Sequence, residues 1–141
     1  MGRNFGSPLS GAPAEPCIWS GDLQKDLHAH ARRYEQLLTE NLALIRTMIG
    51  EIRHHGDHER QVFKAIFRPL REALAARLTQ AVQGGELPAE SSVEILADLF
   101  NAMIFTGVLR RTGSQPKLAY SATSYVNAAV DLIAGGAGRT S

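Results

Sequence analysis

From Leu23 to Ile133 the apolar residues of this chain recur at steps of three, four and seven, a period that belongs to helices. No stretch alternates polar and apolar residues with period two, and no Asn-Gly or Asp-Gly pair lies between β-branched runs, so strands are not expected. The fold class that follows is all-α, an antiparallel bundle of about four to five helices.

The punctuation divides that pattern. A first stripe carries Leu23, Leu27, Tyr34, Leu37, Leu38, Leu42, Ile45, Met48, Ile49 and Ile52, with Asp22 placed as its N-cap. It stops at His54, His55 and Gly56, and Asp57 offers a fresh N-cap for a second helix through Phe63, Phe67, Leu70, Leu74, Leu78 and Val82. Pro69 lies inside this helix and should bend it, because the ring removes one backbone donor and crowds the carbonyl four residues back. Gly84 and Gly85 end it. Ser91 and Glu94 then have the spacing of a capping box for a third helix through Leu109. Pro116, favoured in a first turn, opens a last one that includes Leu118, Tyr125, Val126, Ala129, Val130, Leu132 and Ile133.

The two closing helices are apolar over more than half their circumference. A chain of 141 residues makes one domain and cannot bury so much surface internally, so self-association is expected, most economically as a symmetric dimer through a four-helix bundle. Residues 1–21, rich in Gly, Pro and Ser, read as a loose arm that Ile18 and Trp19 could pin at its end. Residues 22–134 form the helical domain and residues 135–141 a flexible tail.

Charge and cysteine content remove several functions. Fifteen Lys and Arg against 14 Asp and Glu give no global field for nucleic acid, and a single cysteine, Cys17, allows neither an internal disulfide nor a Cys-based zinc site. With no apolar run of membrane-spanning length and no signal-peptide core, the expected location is the cytoplasm.

Few motifs carry chemistry. His54 and His58 stand four apart beside Asp57 and Glu59, a spacing that could hold a metal on a helix, but Gly56 between them reads more simply as a polar turn. Arg60, Lys64, Arg68 and Arg71 form a basic stripe that could meet phosphates, although a solvated face paired with Glu59 and Glu72 is the plainer reading. Arg110 and Arg111 suit the negative end of the third helix's dipole. There is no nucleophile elbow, P-loop or dinucleotide fingerprint, so no enzyme, cofactor or metal is expected. Met48, Ile52, Phe63, Phe67, Phe100 and Met103 are the candidate lining of an adaptable apolar cavity, with ordinary core packing as the alternative.

The run from Ala43 to Gly107 resembles the C-terminal domain of tetracycline-repressor (TetR) family transcription regulators. The likeness rests on the Ile-Arg turn at Ile45 to Gly56, the stretch Phe67-Arg68-Pro69-Leu70-Arg71, and the Gly85-Glu86-Leu87 connection before a helix with two apolar faces. The resemblance implies an all-α domain that binds a small, commonly apolar effector and alters the spacing of two DNA-reading heads. It also implies pairing of the last two long helices with those of a second copy. Leu96, Leu99, Met103, Val108, Tyr125, Val126, Ala129 and Ile133 are the expected contacts of that homodimer. Family members begin with a three-helix DNA-binding domain, for which residues 1–21 are too short, so this chain by itself is not expected to bind operator DNA, and without a membrane-spanning run no membrane partner is expected. Two functions remain open: an effector sensor working by population shift, and a ligand-free dimeriser that modulates full-length relatives through heterodimers.

Overall fold

The computed structural model describes residues 18–50, 56–113 and 117–137. Five α-helices follow in chain order: α1 Leu23–Glu40, α2 Leu42–Gly50, α3 Gly56–Gln83, α4 Val93–Thr112 and α5 Ala122–Asp131, the last running into a π-helical turn, Leu132–Ala137. There is no strand among the described residues.

α1 starts where Asp22, in an extended conformation, accepts the Lys25 amide at 3.2 Å. The first stripe is not one helix. At Asn41 the side-chain amide donates to the Leu37 carbonyl at 2.9 Å and the backbone N–H to Leu38 at 3.1 Å, closing α1. The Asn41 carbonyl then accepts Ile45 N–H at 3.0 Å and opens α2. An asparagine side chain that competes for backbone groups breaks the helix without disturbing the apolar pattern.

α3 begins at Gly56, so Asp57 lies within its first turn, 3.7 Å from Arg60, instead of capping it. The helix continues through Pro69 to a Schellman closure: Glu86 N–H reaches the Ala81 carbonyl at 2.8 Å and Gly85 N–H reaches Val82 at 3.3 Å. That closure requires Gly85 at φ 84°, a left-handed conformation glycine adopts freely. α4 is capped by Ser92, whose hydroxyl accepts Ile95 N–H, one residue later than the capping-box spacing implies. Glu94 is therefore turned outward to Arg71 at 2.8 Å. α5 is capped by Ser121 through Ser124 N–H at 3.0 Å, so Leu118 and Tyr120 precede the helix and Pro116 lies outside the described residues.

α1 sits in the middle, against α3, α4 and α5, and its buried face of Leu27, Ala31, Tyr34 and Leu38 meets Leu70, Leu74 and Leu78 of α3 and Phe100 and Ile104 of α4 in one core. One end of the bundle is fastened by a buried ionic cluster. Arg77, 3% exposed, donates from Nε to Asp26 at 2.7 Å and from a terminal nitrogen to Glu86 at 2.9 Å. Asp26 also accepts the Ser20 amide and hydroxyl, at 2.7 and 2.8 Å, and Glu86 accepts Leu23 N–H at 3.1 Å. Segments before α1 and after α3 are thus tied to the helices they flank. Trp19 is half-buried while Ile18 is exposed, so only the tryptophan touches the domain. No helix among the described residues is long and apolar enough to cross a membrane.

Candidate functional site

A cleft of about 380 Å³ opens between α1, α3 and α4. Phe63, Lys64, Phe67, Arg68 and Arg71 contribute one face of α3, Asp98 and Asn101 one face of α4, and Tyr34 reaches in from α1. The volume lies toward the lower end of the roughly 300 to 1,000 Å³ common for small-molecule sites.

Its wall is aromatic. Phe63 and Phe67, one helical turn apart, stack at 4.3 Å between centroids, and Tyr34 meets Phe67 edge-on at 5.6 Å. Beneath them His30, fully buried, lies parallel to Tyr34 at 5.8 Å and tilted against Phe100 at 6.0 Å.

His30 Nε2 and Asn101 Oδ1 are 2.8 Å apart. With the oxygen accepting, Nε2 carries the proton and Nδ1 is a buried lone pair without a partner. Burial pushes the His30 imidazole down to about 4 against the opposing Asn101 contact, so the ring is neutral near pH 7. Burial likewise pushes the Tyr34 phenol up to about 12, keeping it a neutral donor.

The rim is cationic. Arg71 is committed, its Nε donating to Asp98 at 3.1 Å and a terminal nitrogen to Glu94 at 2.8 Å. Lys64 and Arg68 make no ion pair or hydrogen bond among the described residues. Within the basic stripe Asp57 pairs with Arg60, and Arg71 pairs with Glu94 and Asp98 instead of its sequence neighbour Glu72. Arg111 at the end of α4 pairs with Glu35 of α1 at 2.7 Å, a specific contact beyond the dipole effect.

Of the six residues expected to line a cavity, Phe63 and Phe67 line this cleft. Phe100 lies behind it, fully buried in the core, Met103 is half-buried on α4 with its carbonyl accepting the Tyr125 hydroxyl at 2.6 Å, and Met48 is half-buried on α2. Ile52 lies outside the described residues, as does His54, while His58 is exposed in the first turn of α3. Tyr34, Asn101 and His30 were not among the expected site residues. Tyr34 counts as a core position in the helical stripe, and Asn101 was readable as a polar residue interrupting an apolar run.

A second, wider hollow lies at the Ser20–Gln24 end of α1, beside Gly85 and Glu86. Its acidic groups are already engaged, Asp22 by Lys25 N–H and Glu86 by Leu23 N–H and Arg77.

The surface of α4 and α5 differs from the expected one. Leu96, Val108, Val126, Ala129 and Ile133 are buried in the chain's own core, where α4 packs on α1, α3 and α5, and α5 on α1 and α4. Met103 and Tyr125 are half-buried, and Leu99 is 50% exposed. The large apolar side chains left outside are Leu99, Ile95 (58% exposed) and Leu132 (51% exposed), with Tyr120 before α5 and Ile18 near the start.

A family model described as the tetracyclin repressor-like C-terminal domain matches residues 19–133. No curated protein and no solved structure matches the chain.

Proposed function

The chain belongs to the tetracyclin repressor-like C-terminal domain family, and from that premise we propose that it is the effector-binding and dimerisation module of a transcription regulator, with its effector site in the cleft between α1, α3 and α4. One observation carries the placement. Tyr34 and Asn101, 7% and 8% exposed, hold a hydroxyl and a side-chain NH₂ with no hydrogen-bond partner among the described residues, and both line the cleft. Both groups open onto the cleft, since among the described residues His30 Nδ1 is the buried side-chain polar atom without a partner, and donors presented beside an aromatic wall read as a ligand's anchor points.

Self-association then uses the exposed flank of α4 and α5. Ile95, Leu99, Ala102 and Thr106 follow one another at helical spacing on the outer face of α4, and Ala128 of α5 is followed by Leu132 at the start of the π-helical turn. A two-fold copy laid on this strip would remove the large exposed apolar side chains of both helices from water.

Native mass spectrometry on gently purified protein tests both halves of the reading. A dimer carrying extra small-molecule mass supports them. A monomer at micromolar concentration removes the dimer. A clean dimer in which Phe67→Trp fluorescence ignores every small molecule offered removes the effector site and leaves the ligand-free dimeriser.

A further inference from the structure

Resting on the effector reading, we propose that the cleft is selective for an organic carboxylate: an apolar body against Phe63, Phe67 and Tyr34, and a single anionic head held by Lys64 and Arg68. The uncommitted polar groups of the cleft can all donate hydrogen bonds, and of them only the Tyr34 hydroxyl can also accept one. Lys64 and Arg68 have no acidic partner among the described residues, the Asn101 NH₂ has both hydrogens free because its oxygen serves His30, and the Tyr34 hydroxyl is unengaged. The cleft's one carboxylate, Asp98, is already bonded by Arg71 at 3.1 Å. A ligand that meets these groups must bring acceptors, and a carboxylate brings two oxygens and no hydrogen.

Charge narrows the class further. Three cations and one carboxylate line the cleft, and the Arg71 guanidinium is shared between Asp98 and Glu94. Lys64, Arg68 and Arg71 against Asp98 and Glu94 leave one positive charge in excess, which suits a monoanion better than a dianion. Lys64 and Arg68, one turn apart on α3, lie on the solvent side of the Phe63 and Phe67 rings. An acid entering ring-first or chain-first would therefore keep its head at the rim, where the ion pairs are only partly desolvated, and its body inside.

The test is calorimetric titration of the full chain with two matched pairs: 1-naphthaleneacetate and its primary amide, decanoate and its primary amide. Each pair keeps the body and removes the charge. The expected result is that at least one acid binds roughly tenfold or more tighter than its amide, with a gap that shrinks as sodium chloride is raised. The double variant Lys64→Gln, Arg68→Gln is expected to bring that acid down to the level of its amide and to leave the amide unchanged, whereas Lys25→Gln, at the far end of α1, changes neither. Both substituted rim residues are exposed, so circular dichroism should report an unaltered fold. Equal binding of acid and amide overturns the carboxylate selectivity and leaves the effector site standing. A preference that survives in the double variant overturns the assignment to Lys64 and Arg68. If none of the four compounds binds, the carboxylate inference is overturned, and the effector reading is judged separately by the small-molecule mass carried in native mass spectrometry.

Discussion

Replacing Gly107 by alanine tests whether α4 and α5 meet as closely as the structure has them. In the interior of an exposed helix this change ordinarily stabilises by roughly 0.5–1 kcal/mol, because glycine loses more backbone entropy on folding. Here the added Cβ would sit 2.8 Å from Cε1 and 3.1 Å from Cδ1 of Tyr125, and 3.1 Å from a terminal nitrogen of Arg111. Neither neighbour is free to retreat. The Tyr125 hydroxyl donates to the Met103 carbonyl at 2.6 Å and its ring stacks on Tyr120 at 5.9 Å, while Arg111 is held by Glu35 at 2.7 Å.

Relief to an ordinary contact of about 3.5 Å or more needs the ring to shift by most of an ångström, and overpacking of that kind costs about 1–3 kcal/mol. The balance is a net loss of about 1 kcal/mol, or about 4 °C in Tm for a domain of this size. Urea denaturation at fixed protomer concentration measures it, since a dimer's midpoint depends on concentration. The diagnostic is the change of sign: in a Tyr125→Ala background, where only the 3.1 Å approach to Arg111 remains, the same Gly107→Ala substitution should turn from destabilising to stabilising, by at most roughly 1 kcal/mol. A Gly107→Ala protein with a raised midpoint in the otherwise unaltered chain would refute the close approach.

Asp26→Ala leaves the buried Arg77 with Glu86 alone and should cost about 3–5 kcal/mol, whereas adding Arg77→Met should recover much of it, because an apolar pair replaces an orphaned charge. Burial acts to raise the Asp26 carboxyl, but the Ser20 amide, Arg77, the Ser20 hydroxyl and the Gly21 amide outweigh it and hold it below its ordinary 3.8. Its contribution is thus present above about pH 4 and lost as pH falls through the folded-state value, so the stability gap to Asp26→Asn should narrow in that acid range; a gap independent of pH down to 2 refutes it. His30, at about 4 in the fold against 6.5 when exposed, is protonated more readily in the unfolded chain, so stability should fall by about 3 kcal/mol between pH 6.5 and 4 on this account alone. An imidazole signal from His30 titrating near 6.5 by NMR contradicts that. Leu99→Asp, on a half-exposed position, should leave helicity intact and convert a dimer to monomer in light scattering, since the charge would be buried unpaired between copies; retention of the dimer moves the interface elsewhere.

The helical class, the Asp22 cap and the Gly84-Gly85 stop were legible because each depends on local chemistry that a few consecutive residues carry. The break at Asn41 was not, since apolar spacing continues across it and only the asparagine side chain, reaching back to Leu37, ends the helix. Ser91 and Ser92 are equivalent as letters, and the helix start that selects Ser92 is set by packing. The same limit hid the outer surface of α4: a helix apolar on every side gives no period from which to tell Leu96, buried in the core, from Leu99, turned away. The cleft needed three helices brought together. Phe63 and Phe67 could be chosen as aromatic residues on one helix face, but Tyr34 and Asn101 become site residues only when their polar ends are found without partners beside that face.

α4 connects the two proposed activities. Asp98 and Asn101 turn one face of it to the cleft, and Leu99, between them in sequence, stands on the outer strip proposed for dimer contact. A carboxylate at Lys64 and Arg68 lies close to the Arg71–Asp98 pair that ties α3 to α4, so the bound ligand and Asp98 draw on neighbouring cations of one helix. His30 ties α4 to α1 through Asn101 beneath the same cleft. A ligand that favours one setting of α4 against α1 and α3 would alter how two copies meet, and dimerisation in that setting would strengthen ligand binding by the same factor. That reciprocity gives a direct check. Acid affinity measured on the wild-type dimer and on Leu99→Asp monomer should differ if α4 is the coupling element, and equal affinities would mean that cleft and strip act independently.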